Sequence, residues 1–235
     1  MEINISNRLR NVADFVPQNS KLLDVGSDHA YLPIFLVENK KIQRAIAGEV
    51  VRGPYESAQK NVKEASLEGN IEVRLANGLA AFDLEDKIDV ITICGMGGRL
   101  IAEILEAGKD KLSGVKRLIL QANNREDDLR NWLVKNQFCL VAEKIITENN
   151  KYYEIIVAEH GQASLSKEAL RFGPFLLREK SPDFVGKWQR ELAKLDYALS
   201  CIPATNTSDS ATIKQKIEKI KEILGNESKS SHSSI

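Results

Sequence analysis

Residues 139–160 read CLVAEKIITENNKYYEIIVAEH. Two strand-like runs, CLVAEKIIT (139–147) and YYEIIVAEH (152–160), are separated only by ENNK, with no helix between them. Parallel neighbours need a long crossover, so a connection this short forces an antiparallel hairpin. Towards the N-terminus the rhythm is different. KLLDVG (21–26), RAIAGEV (44–50), IEVRLAN (71–77), DVITICGM (89–96) and RLILQAN (117–123) are short apolar strands. Helical stretches accompany them: LPIFLVEN (32–39), VRGPYESAQKNVKEA (51–65), GGRLIAEILEAGKDKL (97–112) and REDDLRNWLVKNQ (125–137). Strands alternating with helices predict a parallel sheet with helices on both faces. The expectation is an α/β fold with a mostly parallel seven-stranded sheet that ends in an antiparallel hairpin.

The flanks differ from this centre. SNRLRNVADFV (6–16) has Leu9, Val12, Ala13 and Val16 at helical spacing, with Ser6 placed to cap it. Beyond residue 160 the strands stop. SKEALRFGPFLLREK (166–180) and PDFVGKWQRELAKLDYALSCI (182–202) read as helices broken at Gly173-Pro174 and Ser181-Pro182. PATNTSDS (203–210) reads as a turn and ATIKQKIEKIKEILG (211–225) as a further helix. Leu192, Leu195 and Leu199 can face Ile213, Ile217, Ile220 and Leu224, which predicts a coiled-coil-like helical hairpin. The domains expected are therefore 1–160, a helical hairpin over 161–225, and a disordered polar tail, 226–235.

The chain of 235 residues is 43 % hydrophobic and 28 % charged, the balance of a folded water-soluble protein. No apolar run is long enough for a membrane helix, and MEINISNRLRNV has no signal-peptide character, so the expected location is the cytoplasm. The totals of 33 basic and 33 acidic residues exclude a uniformly basic protein. Residues 161–235 nevertheless hold 12 basic and 9 acidic side chains, against 21 and 24 in residues 1–160. That bias is either ordinary scatter or a nucleic-acid surface in the C-terminal part. Cys94, Cys139 and Cys201 form no CxxC pair, and His29, His160 and His232 have no metal-ligand spacing, so no metal site is expected.

Candidate site residues collect at the carboxyl ends of the predicted strands, where open parallel sheets bind ligands. Asp24, Gly26, Ser27, Asp28, His29 and Tyr31 lie in LLDVGSDHAY (22–31). Gly26 lets a ligand approach backbone. The GxGxxG pattern is absent, and Asp28 is a poor neighbour for a pyrophosphate but a tolerable one for a sulfonium and an amino group. Glu49 ends the second strand and can accept both hydroxyls of a ribose, in NAD or in S-adenosylmethionine alike. Asn77-Gly78 ends the third strand, where it is either a plain turn or an adenine contact. Cys94, Gly95, Met96 and Gly97, followed by Gly98, end the fourth, and their glycines clear room for a flat group. The layout of five parallel strands plus a hairpin resembles, as an analogy of fold, a Rossmann-like methyltransferase sheet; a dinucleotide dehydrogenase would continue with another βα unit.

DVGSDHAYLP, AGEVVRGPYESAQKNV, ANGL, DVITICGMGG and KYYEIIVAE, in that order, resemble the bacterial tRNA (adenine-N1)-methyltransferases that modify adenine 22 in the D-arm. The resemblance covers roughly residues 1–160, and the helical appendage fits it. One departure is QANN (121–124), where the family pattern has Gln-Pro and this chain has Ala122. The resemblance implies S-adenosylmethionine as methyl donor and tRNA as substrate; no protein partner is implied. It implies Asp24, Gly26, Ser27, Glu49, Val50, Asn77, Gly78, Cys94, Gly95, Met96 and Gly97 around the cofactor, and Asp28, His29 and Tyr31 at the catalytic centre. The Asp/Asn-Pro-Pro-Tyr/Phe motif of adenine-N6 enzymes is missing where CGMG stands. Other readings are a nucleotide-dependent oxidoreductase, a non-catalytic RNA-binding protein on the same fold, or a methyltransferase of small molecules.

Overall fold

A computed structural model describes residues 5–203 and 205–225; the tail read as disordered lies outside the described residues. Seven strands form one sheet: β1 (Lys21–Val25), β2 (Arg44–Glu49), β3 (Ile71–Leu75), β4 (Val90–Met96), β5 (Arg117–Ala122), β6 (Phe138–Glu148) and β7 (Lys151–His160). Their spatial order is β3-β2-β1-β4-β5-β7-β6. The first five are parallel, and β7 pairs antiparallel with both β5 and β6. The hairpin's second strand is thus the inner one. Its run Ile155–Ala158 is buried throughout, as a strand covered on both faces demands, whereas β6 is only intermittently buried and forms the edge.

Each face of the sheet carries its own apolar layer. Ile101 and Leu105 of α4 (Gly98–Ala107) and Leu129 and Leu133 of α5 (Glu126–Lys135) pack on one, with Leu23, Ile91 and Leu120. The other holds α1 (Asn7–Phe15), α2 (Tyr31–Glu38) and α3 (Arg52–Glu64), through Val12, Ile34 and Val62 against Leu22, Val90 and Ile119. Strand residues alternate between the two layers, so both faces must be covered. Ser6 does cap α1: its Oγ accepts from the Leu9 N–H at 3.2 Å. The structure places Ala122 within β5, opposite both Met96 and Glu154, so the Gln-Ala departure lies in the sheet rather than in a loop.

The chain divides into two compact units after Phe175. The expected boundary at residue 160 followed the last strand, but packing carries the first unit further. Helix α6 (Lys167–Phe172) buries Phe172, Arg130 donates to the Leu170 carbonyl at 3.1 Å, and the Phe175 N–H donates to Glu143 at 2.9 Å. Helix α7 (Pro174–Glu179) spans the division.

In the second unit α8 (Pro182–Ser200) packs on α9 (Thr207–Gly225). Ser181 caps α8 by accepting from Phe184. α9 begins ahead of the expected Ala211, because Asn206 and Asp209 form a reciprocal cap with bonds of 3.2 and 2.7 Å. The buried stripe of α9 is Ile217, Ile220 and Ile223; Leu224, expected in that seam, is only half-buried. Among the described residues no helix is long and apolar enough to cross a membrane.

Candidate active site

The parallel strands end side by side, and their tips bring together the residues picked from the sequence. Asp24 is the penultimate residue of β1 and is buried. Its Oδ2 accepts from Ser27 Oγ and its Oδ1 from Thr92 Oγ1, both at 2.6 Å. Burial raises its pKa, and the two hydroxyl donors counter only part of that rise. Asp24 therefore shapes and polarises the turn, and its oxygens are engaged within the fold.

Gly26 follows with φ +65°, and a Cβ there would lie 2.4 Å from Met96 Cε. The positive φ is what calls for glycine here, since the Met96 methyl ends a flexible side chain that can move aside. The next residues, Asp28, His29 and Ala30, also have positive φ. Three successive left-handed residues without a glycine are strained, and such strain collects at functional sites. Two bonds hold the turn. The Asp28 N–H donates to Glu49 Oε1 at 2.5 Å, and Asn61 Nδ2 donates to the His29 carbonyl at 2.9 Å. His29 stacks on Tyr31, with ring centroids 5.3 Å apart, and its Nε2 is 3.4 Å from Asp28 Oδ1.

Glu49 ends β2 and is buried, and burial raises its pKa above the ordinary carboxylate range. With Oε1 held by Asp28, Oε2 is the oxygen that can accept from a diol. Beside it the sheet presents apolar side chains to solvent. Val50 is 62 % exposed and Leu75, paired with Glu49 across β2 and β3, is 46 % exposed. Exposed aliphatic residues at a strand tip can serve as an apolar bench under a flat heterocycle. Leu75 was missed in the sequence, where it read as an ordinary strand residue. Asn77 is exposed at the end of this bench, and Gly78 has φ +55° and packs on Ile104.

On β4, the register slips by one residue between Cys94 and Met96, and Gly95 takes φ +77°. This bulge turns the Gly95 N–H to Gln121 Oε1 at 3.0 Å and its carbonyl to Asn123 Nδ2 at 2.7 Å. Cys94 is half-buried and burial pushes its thiol up to about 12, so it stays neutral and is no nucleophile. Gly97 and Gly98 differ sharply. Among the described residues a Cβ on Gly97 would meet only the Asn124 side chain, at 3.0 Å, whereas one on Gly98 would lie 2.2 Å from the Arg125 carbonyl oxygen. The sequence also missed Arg8 and Gln121: Arg8 donates to the fully buried Gln121 at 2.6 Å, across 113 residues of chain.

The residues fit S-adenosylmethionine. A buried acid ends β2, exposed aliphatic side chains adjoin it, and the glycine turn at Gly26 lies against the flexible end of Met96. No group of three or more potential metal ligands occurs among the described residues.

Comparison with known proteins agrees with this geometry. The family profile of the tRNA (adenine(22)-N(1))-methyltransferases matches residues 22–222. The tRNA (adenine(22)-N(1))-methyltransferase of Bacillus subtilis is 42 % identical over 228 residues, which cover 94 % of this chain and 93 % of that protein. The crystal structure of Streptococcus pneumoniae Sp1610 superposes with a TM-score of 0.93 at 60 % identity, covering 94 % of this chain and all of that one. The same protein in complex with S-adenosyl-L-methionine superposes with a TM-score of 0.89 at 58 % identity and equal coverage. The order of the motifs, the strand tips that carry them and these matches over nearly the whole chain agree: this chain belongs to the tRNA (adenine(22)-N(1))-methyltransferase family.

Proposed function

We propose that the protein transfers a methyl group from S-adenosylmethionine to N1 of adenine 22 in the D-arm of tRNA. The observation that carries this reading is the juxtaposition of Glu49, the Gly26 turn and the glycine-lined end of β4 in a chain of this family. The bound cofactor supplies an electrophilic methyl group on a cationic sulfur. Adenine N1 has a lone pair and no proton, so the protein needs no general base before attack. What it must supply is alignment, which can contribute up to roughly 7–11 kcal/mol in favourable cases. The methylated base is a cation, and the carboxylates of Asp28 and Glu49 at the strand tips favour it electrostatically. N1 lies on the pairing edge, so the adenine must leave its stack to react. Tyr31, 39 % exposed and stacked on His29, offers a surface for the extruded base. Incubating tRNA with the protein and S-adenosylmethionine, followed by nucleoside mass spectrometry, should yield 1-methyladenosine at position 22. A product methylated elsewhere, or none, would refute the assignment.

Glu49 gives a first check. Replacing it by Ala removes an acceptor for the ribose hydroxyls and should weaken S-adenosylmethionine binding by about 1.5–3 kcal/mol in calorimetry, with the fold intact. Its raised pKa adds a pH signature. The ionised form accepts from the diol, so affinity should fall on acidification, starting above the range of an ordinary glutamate. Glu49→Gln should flatten that dependence. Unchanged affinity in the Ala variant would remove Glu49 from the site.

The hairpin unit is proposed as an RNA-positioning arm. Lys187, Arg190, Lys194, Lys214, Lys216, Lys219 and Lys221 lie on α8 and α9. Lys214, Lys216 and Lys221 are exposed. Phosphate contacts of this kind fix register without reading bases. Reversing these three to Glu should raise KM for tRNA and reduce the salt slope of binding by about 3, leaving S-adenosylmethionine affinity unchanged. An unaltered salt slope would identify the hairpin as a packing element instead.

A further inference from the structure

Resting on the adenine-N1 methyltransferase reading, we infer that Asn124, whose side-chain amide lies over Gly97 at the end of β4, reads the N6/N7 edge of the target adenine and so turns N1 towards the methyl group.

The chemistry sets the requirement. Adenine carries ring lone pairs at N1, N3 and N7, so alignment alone must select among competing nucleophiles. A flipped base is ordinarily held by hydrogen bonds to its pairing edge. Here that edge contains the reacting atom, which leaves the N6/N7 edge for recognition. A side-chain amide matches that edge: its oxygen accepts from the N6 amino group while its nitrogen donates to N7. The pairing occupies N7 and leaves N1, on the other side of the amino group, open to the cofactor.

The structure leaves few groups for this task. The end of β4 offers a neutral thiol at Cys94, a thioether at Met96 and otherwise glycine, so it presents no adjoining donor and acceptor of its own. The stretch after β5 brings two amides to it. Asn123 is engaged at both ends: its Oδ1 accepts from Gln121 Nε2 at 3.1 Å, and its Nδ2 donates to the Gly95 carbonyl at 2.7 Å. Asn124 differs. A Cβ built on Gly97 would find Asn124 Oδ1 at 3.0 Å and Cγ at 3.9 Å. Asn124 is exposed, and among the described residues its amide makes no hydrogen bond. Its backbone, by contrast, is tied to β4 and α4. The Asn123 N–H donates to the Met96 carbonyl and the Gly98 N–H to the Asn124 carbonyl, each at 2.8 Å. An unengaged amide on a fixed backbone is preorganised for a ligand. Asn77, also an exposed amide at a strand tip, follows β3, three strand spacings or about 14 Å from β4. Asn124 is thus the amide that borders the adenine's path.

The test replaces N7. A tRNA with 7-deazaadenosine at position 22 keeps N1 and the N6 amino group but carries a C–H in place of N7. The natural protein should methylate it with kcat/KM roughly 5–20-fold below that for ordinary tRNA, the effect of one lost hydrogen bond. Asn124→Ala should lower kcat/KM for ordinary tRNA by roughly 5–150-fold and treat the two tRNAs alike. Its S-adenosylmethionine affinity in calorimetry should be unchanged. Asn124→Asp keeps an acceptor for N6 but sets a second acceptor against N7, so it should prefer the 7-deaza tRNA. A residue that only shapes the loop gives no such reversal. A natural protein that methylates both tRNAs equally overturns the inference, and so does either variant if it keeps the natural preference. No 1-methyladenosine at position 22 of ordinary tRNA treated with the natural protein would instead overturn the methyltransferase reading itself.

Discussion

Replacing Arg130 by Met is expected to destabilise the first unit by about 3–5 kcal/mol, a loss of roughly 6–20 °C in its melting temperature. Arg130 is fully buried in α5. Its Nε donates to Glu143 Oε1 at 2.7 Å and its Nη2 to Glu154 Oε2 at 2.5 Å. Both carboxylates are as inaccessible as the guanidinium. Glu143 also accepts from the Phe175 backbone, and Arg130 donates to Leu170, so the triad ties α6 and the chain's exit to the sheet. Gly173 makes the close approach possible: its φ is +85°, and a Cβ would lie 2.8 Å from Arg130 Nη2. Without the arginine, two buried carboxylates lose their counter-charge, and the burial that already raises the pKa of Glu143 acts without the opposing arginine. A carboxyl with a raised folded-state pKa favours the folded state at low pH and loses that contribution as pH rises. The deficit of Arg130→Met should therefore shrink on acidification. Adding Glu143→Gln and Glu154→Gln should recover much of the loss at neutral pH, because neutral amides need no counter-charge. Thermal melts across pH check this, and a single variant that melts within a degree of the natural protein would refute it.

Features with a local cause were legible in the sequence. The order of strands and helices, the hairpin after Thr147, the Ser6 cap, the break at Ser181-Pro182 and the acid ending β2 all follow from nearby residues. The inner place of β7 went unread: the turn between the strands does not reveal it, although Ile155-Ile156-Val157-Ala158 has no polar alternation. What stayed hidden depends on residues far apart. Arg8 reads as a polar residue on an amphipathic helix, and only folding brings it to Gln121. Arg130 reads as a surface position of α5, and nothing near it in sequence announces two glutamates from β6 and β7. The unit boundary moved for the same reason, because the triad binds residues that follow the last strand. The early start of α9 is a different case: Asn206 and Asp209 carry a capping signal that helical periodicity alone passes over. Leu75 shows a third kind of omission. A strand side chain is read as core until the sheet's edge is known, and here it lies in the open beside Glu49.

Gly97→Val is expected to abolish methyl transfer, by at least about 100-fold in kcat/KM or roughly 2.7 kcal/mol, while most of the S-adenosylmethionine affinity remains. Gly97 precedes α4 at φ −70° and ψ 143°, a conformation any residue adopts, so the backbone does not require glycine. Among the described residues the only near neighbour of an added Cβ is the Asn124 amide at 3.0 Å, and that side chain can shift. Folding should therefore tolerate valine. The remaining reason for a glycine is the space in front of it, where the adenine must approach the methyl group across the end of β4. A branched side chain there displaces the base by more than alignment can bear, since about 1 Å of misplacement can cost 100-fold. Gly98 supplies the control. A Cβ on Gly98 would lie 2.2 Å from the Arg125 carbonyl, against backbone that also accepts no easy shift because the Gly98 N–H donates to the Asn124 carbonyl at 2.8 Å. Gly98→Ala should lower the melting temperature, whereas Gly97→Val should not. Calorimetry, melting and single-turnover methylation of tRNA together separate the cases. Normal single-turnover rates in Gly97→Val would place the base's entry elsewhere, and a lowered melting temperature would make Gly97 a packing residue like its neighbour.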